Sequence, residues 1–316
     1  MFNGEPFIEE CVCSVLGQTF QDFDIIAVDD GSTDKSCEVL SGFADRRVKV
    51  FREEKNQGAA AARNRAVGSS DSEFLAFLDS DDLAYPSRLA KQIDALRRSA
   101  AIDLVASEIS LLHRTGSRSR QHESVADSDI PPVLLFRNCI IQSTVLLRRS
   151  AWVPYRPEFI LAEDYDLWCR MSIEHHFKIL REPLVVYRDH SGQISERRKG
   201  EMIRSVTTIH RWMLEPFGAY SPIHHRLANW PFDATIDELK HAEIWLIQLL
   251  QANRRYAPAI FERVLKKVWY SICLDSWEIG PEVLKIYSAS NLAGASIGNR
   301  FRLLRRFGSQ IFRKRS

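Results

Sequence analysis

The chain has 316 residues, 45% of them hydrophobic and 27% charged, with a formal net charge of +2. These are the values of a soluble globular protein, long enough for one large domain or for a domain with a helical appendage. They exclude a nucleic-acid-binding footprint over the whole molecule, and no apolar run reaches the ~20 residues of a membrane-spanning helix.

The opening stretch MFNGEPFIEECV is acidic and lacks the basic and apolar regions of a secretory leader. The cysteines, Cys11, Cys13, Cys37, Cys139, Cys169 and Cys273, form no C-x-x-C pair, and several fall in apolar periodic segments. This predicts reduced thiols and a cytoplasmic location. Short apolar runs then alternate with helical patterns, which predicts an α/β sheet of mostly parallel strands. EPFIEECVCSVLGQ reads as a helix, DIIAV (24–28) as a buried strand, and DDGSTD as a turn leading into a helix that ends near Phe43. VKVF (48–51) is the next strand, followed by an Ala-rich helix in NQGAAAARNRAVGSS that a glycine opens. EFLAFL (73–78) and IDLVAS (102–107) read as strands flanking a helix whose first turn holds Pro86.

Residues 113–129 are polar and read as a loop, and IIQSTVLLRR (140–149) as another strand. AEDYDLWCRMSIEHH is helical, and KILREPLVVYRDHSGQIS gives a strand ending in a polar loop. Beyond about Arg198 the pattern is helical and rich in Trp and Leu. The expected division is residues 1–197 and a helical region, 198–316, with a basic tail.

Two acidic turns, VDDGSTD and FLDSDD, directly follow strands. Ligands of open parallel sheets bind at the carboxyl ends of strands, so both turns belong to one edge. Asp79, Asp81 and Asp82 crowd three carboxylates into four positions, a spacing that suits a hard divalent cation completed by substrate phosphates. Taken alone, DSDD reads equally well as a helix cap, and DDGSTD more readily as a turn with an N-cap than as a binding site.

The segments FNGEPFIEECVCSVLGQTFQDFDIIAVDDGSTD, NQGAAAARNRAV, FLDSDD, AEDYDLWCR and YRDHSGQIS follow one another in this order. In that conjunction the chain resembles the family 2 inverting glycosyltransferases of the GT-A fold, over residues 2 to about 196. The resemblance implies a Rossmann-like sheet flanked by helices, with a helical C-terminal extension. It implies a nucleotide-diphosphate sugar as donor, UDP-linked, and a saccharide or lipid-linked glycan as acceptor, in bacterial cell-surface polysaccharide synthesis. It implies that Asp30 contacts the base, with Asp29 and Ser32 shaping the loop, and that Arg63 helps hold the base, with Asn56 and Gly58 building the turn. Asp79 would meet the ribose or phosphate, and Asp81, with His190, would hold Mg²⁺ or Mn²⁺. Asp164 would be the general base, with Glu163 beside it.

One feature departs from the family. Its first strand normally precedes the FNGE segment, within the nucleotide-binding sheet, and here Met1 stands where that strand would end. Either the chain is given from too late a start, which the intact downstream motifs favour, or it is a degenerate relative. A non-catalytic sugar-nucleotide-binding or complex-forming subunit is therefore the alternative to an enzyme. Sugar-nucleotide synthesis is disfavoured, because no glycine-rich, basic triphosphate loop lies near the start. From Arg300 onward, RFRLLRRFGSQIFRKRS carries seven Arg or Lys and no acid. Its apolar positions read equally as a peripheral anchor on the inner face of the plasma membrane and as a solvated terminus.

Overall fold

The computed structural model describes residues 1–121, 125–190, 197–218, 221, 223, 234–294 and 303. They divide into two units, Met1–Ile130 with Asn138–Ser205, and Pro131–Arg137 with Val206–Ser316.

The first unit opens with α1 (Ile8–Leu16), β1 (Ile25–Asp29), α2 (Ser36–Ser41) and β2 (Val48–Arg52). β1 and β2 pair in parallel, Ile25 opposite Val48 and Asp29 opposite Arg52. Ile8 and Val12, one helical turn apart on α1, bury with Leu40 against Ile25, Ala27, Val48 and Val50. Each such side chain contributes ~1.5–3 kcal/mol when taken from water. On the opposite edge of β1, Met1 adds one parallel rung: its amine donates to the Val28 carbonyl at 2.7 Å and its carbonyl accepts from Asp30 N–H at 2.8 Å.

α3 (Ala59–Gly68) leads into β3 (Phe74–Ala76), β4 (Leu83–Ala84), α4 (Arg88–Arg98), β5 (Leu104–Leu112) and β6 (Arg118–Gln121). After α5 (Ile130–Val133) come β7 (Leu146–Arg148), α6 (Glu163–Met171) and β8 (Phe177–Arg188). The larger sheet runs β3-β7-β5-β8-β4, with β6 also on β5. The expected α/β class holds. Parallel pairing holds for β1–β2 and β5–β8, whereas β3–β7, β7–β5, β8–β4 and β6–β5 are antiparallel. Leu89, Ile93 and Leu96 of α4 pack on Val105 and Leu146. Beneath them Arg88, 2% exposed, donates to the Phe77 and Val145 carbonyls, and Gln92 donates to those of Val105 and Thr144.

Three local expectations are corrected. The strand read over 140–149 contracts to Leu146–Arg148, because Gln142, Ser143 and Thr144 turn as a 3₁₀ segment and bury hydrogen-bonded side chains instead of extending a ladder. The strand read over 73–78 contracts to Phe74–Ala76. The loop read over 113–129 contains β6, a polar edge strand that lacks any apolar alternation.

The helical pattern beyond residue 198 is realised as α7 (Lys199–Leu214), α8 (Ile236–Ala252), α9 (Pro258–Asp275) and α10 (Glu282–Ala289). Thr235 and Glu238 form a capping box at the start of α8, and Pro258 opens α9 where a missing N–H costs nothing. The second unit buries Leu246, Leu249, Phe261, Trp269 and Tyr287. Among the described residues no helix is long and apolar enough to cross a membrane. The basic tail, apart from Leu303, lies outside the described residues.

Candidate active site

The three crowded aspartates point three ways. Asp79 sits on Ser143, whose hydroxyl accepts its backbone N–H at 3.1 Å, and pairs through Oδ1 with Arg63 Nη2 at 2.7 Å. Asp81 turns to His190, Oδ2 to Nε2, at 3.0 Å. Asp82 turns inward: it is 1% exposed and accepts the Arg188 N–H at 3.1 Å. Burial, with Asp79 and Asp81 close by, pushes Asp82 well above the ordinary carboxylate range.

Arg63 joins two of the motifs. While Nη2 holds Asp79, Nη1 reaches Glu163 Oε1 at 2.7 Å, and the guanidinium lies 5.6 Å from the Tyr155 ring centroid. The next residue, Asn64, exchanges two 2.8 Å hydrogen bonds with the Tyr155 backbone. Burial opposes the guanidinium charge, but Asp79 and Glu163 outweigh it, and its pKa rises above the ordinary arginine value. The arginine expected at the nucleotide base thus faces the acidic motifs.

Asp164 lies in the first turn of α6, where the helix dipole favours a carboxylate. The approach to this helix is strained: Leu161, a residue with a full side chain, adopts φ 61°. Asp164 Oδ1 accepts the Tyr165 N–H at 2.7 Å and Oδ2 accepts Asn138 Nδ2 at 3.1 Å. Burial first, and Glu163 second, push its pKa up to about 7 against the pull of Arg63. Asp166, the other acid of EDYD, is fully buried and bound by Arg170 at 2.8 Å and Arg156 at 3.6 Å, which makes it a structural anchor. Asp79 and Asp164 line one cavity of ≈ 500 Å³, walled by the 138–142 segment, by Ser107, Glu108 and Ile109 of β5, and by Tyr187 of β8. The β5–β8 register shifts on both sides of Glu108, opening the sheet at this wall.

Of the residues expected at the nucleotide, Asp30 lines a second cavity of ≈ 390 Å³, together with Arg52, Glu53, Gln57, Ala61, Ala62 and Arg65. Asp30 accepts the N–H groups of Gln57 and Gly58, both at 2.8 Å. Gly58 precedes α3 with φ 93°, a conformation that favours glycine. Asp29 is fully buried, accepts the Ser32 N–H at 3.1 Å, and lies 3.7 Å from Arg52 Nε. Ser32 in turn accepts the Asn3 N–H. Asn56 is exposed, and its backbone N abuts Gly31 so closely that a Cβ there would approach it to 2.9 Å.

Asp81 and His190 are the two candidate cation ligands that the fold brings together. Phe7 packs against His190 with the rings tilted by 45° and their centroids 4.6 Å apart, and Arg188 covers the same phenyl ring at 5.5 Å. Among the described residues there is no cluster of three or more His, Cys, Asp or Glu that could hold a metal. An oxygen and an imidazole nitrogen fit Mg²⁺ or Mn²⁺ when phosphate oxygens and waters complete the shell. Sequence reasoning missed Asn138, Tyr155, Gln57 and Arg65; of these only Gln57 and Arg65 carried a signal, by flanking the segment GAAAARN.

A family model described as Glycosyl transferase family 2 matches residues 1–145. WfgD of Escherichia coli, a UDP-Glc:alpha-D-GlcNAc-diphosphoundecaprenol beta-1,3-glucosyltransferase, is 30% identical over 218 residues, 68% of this chain and 85% of that protein. Among solved structures, S. aureus TarS superposes with a TM-score of 0.54 at 17% identity, covering 86% of this chain and 51% of that one. Its 1–349 portion with UDP-GlcNAc gives 0.54 at 14%, covering 98% and 78%. The mannosyltransferase PcManGT of Pyrobaculum calidifontis, in complex with GDP-Man and Mn²⁺, gives 0.51 at 17%, covering 98% and 78%.

Proposed function

The chain belongs to glycosyl transferase family 2, and we propose that it moves a sugar, with inversion, from a UDP-linked donor to a hydroxyl of a saccharide or lipid-linked glycan. Its fold is the GT-A fold and its activity that of a glycosyltransferase. The observation that carries the finer reading is the Arg63 bridge, which draws the strand-end Asp79 and the helix bearing Asp164 onto one cavity. The names of the relatives support the substrates: WfgD uses UDP-Glc and a diphosphoundecaprenol-linked acceptor.

Asp164 takes the proton of the acceptor hydroxyl, whose oxygen bonds to the anomeric carbon. The bond from that carbon to the diphosphate breaks, and its electron pair leaves with the nucleoside diphosphate. One displacement with no enzyme-bound sugar inverts the centre. A carboxyl that titrates near neutrality is suited to this task, since a general base works best with a pKa close to the operating pH. Asp30, Gln57 and Gly58 shape the end of the site that receives the nucleotide, with Asp29, Ser32 and Asn56 supporting the turn. Asp79 faces the ribose and phosphates. A divalent cation held by Asp81 and His190 would neutralise the diphosphate as it leaves. The cysteines are free thiols, which suits the cytoplasm, at the inner membrane face for a lipid-linked acceptor.

Asp164→Asn tests this reading. It is expected to lower UDP release from UDP-glucose by ~10²–10⁴-fold while UDP-glucose binding, followed by calorimetry, is retained. Undiminished turnover removes Asp164 from the chemistry.

A further inference from the structure

We propose that Asn138 is a positioning residue for Asp164: by donating its side-chain amide to Oδ2 it aims the carboxylate into the larger cavity and keeps it in the proton-accepting form. The proposal rests on the reading of Asp164 as the base. The contact spans 26 residues and joins a wall of the cavity to the first turn of α6.

The direction of the contact is fixed by local bonding. Asn138 Oδ1 accepts the N–H of Ile140 at 3.0 Å, so the amide oxygen is committed to its own loop. The –NH₂ group is therefore the end that meets Asp164, at 3.1 Å. Oδ1 of Asp164 is tied to the Tyr165 N–H at 2.7 Å, so each carboxylate oxygen carries a neutral donor and the plane of the group is set.

The charged surroundings explain why a neutral donor belongs here. Glu163 and Asp79 oppose the ionised form, and Arg63 supports it from a guanidinium whose direct bonds go to those two acids. Tyr155 and Tyr187 also face Asp164, and their hydroxyls are pushed above the ordinary tyrosine range, first by burial. A second cation against Asp164 would drive its pKa far below neutrality and weaken the base. An amide hydrogen bond stabilises the carboxylate by less and also orients it.

Two variants separate this role from packing. Asn138→Asp is isosteric and keeps the oxygen that binds Ile140, yet once ionised it cannot donate to Asp164; Asn138→Ala removes both bonds. The readout is the titration midpoint of the Asp164 carboxyl in [¹³Cγ]aspartate-labelled protein, assigned by the resonance that Asp164→Asn deletes. The midpoint is expected to rise by ~1 unit in Asn138→Ala and by more in Asn138→Asp, where a second carboxyl is added. The acid limb of UDP release from UDP-glucose should move upward with it. A midpoint within about 0.3 unit of wild type in both variants overturns the positioning role, whatever turnover does. A midpoint that moves while the acid limb stays still overturns Asp164 as the base instead, and leaves the Asn138 contact standing.

Discussion

Arg63 Nη1 and Glu163 Oε1 are 2.7 Å apart across 100 residues of chain, and the other arm of the same guanidinium is 2.7 Å from Asp79. One side chain therefore neutralises acids from two segments and fixes the distance between them. With Asp82 buried against the Arg188 backbone and Asp81 turned to His190, the crowded turn is relieved by three separate partners before any substrate arrives.

Removing Arg63 should cost more than a surface ion pair does. The side chain is 18% exposed and Glu163 12%, and Arg63→Ala leaves Asp79 and Glu163 without their shared cation. A loss of ~3 kcal/mol in urea unfolding is expected, the range for breaking a buried pair from one side. Arg63→Lys, with one ammonium for two carboxylates, should recover part of it. A loss below ~0.5 kcal/mol for Arg63→Ala, the size of an ordinary surface change, would show that the bridge does not form in solution.

Asp164→Asn should stabilise the protein at alkaline pH. The folded-state pKa of about 7 lies above the ordinary 3.8, so the wild type loses stability as pH rises through 7 and the group is forced to ionise. Below pH 4 both proteins carry a neutral side chain there, and the difference vanishes. At pH 8 the variant should be more stable by ~2 kcal/mol, at 1.36 kcal/mol per unit discounted for partial exposure. Melting curves at pH 4 and pH 8 check the sign; an equal difference at both would refute the raised pKa.

His190→Ala and Asp81→Asn should each weaken Mn²⁺ binding in the presence of UDP by at least the ~10-fold that losing an outer-shell partner causes. Both side chains are partly exposed, so melting temperatures should hardly change. Electron paramagnetic resonance of free Mn²⁺ measures the affinity without turnover. Unaltered affinity in both variants would remove these residues from metal binding.

Arg88 has no direct carboxylate partner in its hydrogen bonds to Gln92 and to the Phe77 and Val145 carbonyls. Burial lowers its pKa to about 10, against the pull of Asp82. Arg88→Met should strand the Phe77 carbonyl beneath the Asp79 turn, while the Val145 carbonyl keeps the Phe77 N–H, and cost ~1–3 kcal/mol. Retained wild-type stability in denaturant would count against the network.

Gly58→Ala and Gly31→Ala form a graded pair. At Gly58 an added Cβ meets nothing within 4 Å, so only the φ of 93° is penalised, at ~1 kcal/mol. At Gly31, φ 74° adds to a backbone clash at 2.9 Å, and the loss should be larger. UDP-glucose affinity and melting temperature should fall in that order; the reverse order contradicts the turn geometry.

What could be read from the chain follows the range of the forces involved. Gly58 was legible because turn chemistry is local: a glycine that opens a helix at positive φ announces itself within a few residues, whereas the two amides that Asp30 collects lie 27 and 28 residues away. The inward rotation of Asp82 was not legible, since it depends on a backbone N–H 106 residues away. Nor was the target of Arg63, which sequence placed at the nucleotide base. Asn138 sits in a segment without periodicity, and its amide matters only through Asp164. Strand direction escaped for a related reason: apolar runs mark a buried strand, but whether β7 pairs parallel or antiparallel with β5 is decided by the route of the intervening chain.

α3 works as a ruler. The N–H of Gly58, at its N-cap, is fastened to Asp30, and Arg63, five residues after Gly58, is fastened to Glu163. At 1.5 Å per residue the two fastenings are ~7.5 Å apart along a stiff rod. One residue inserted between them would swing the guanidinium by about 100°, so the gap between the two cavities is quantised: a loop can lengthen by degrees, but not this stretch.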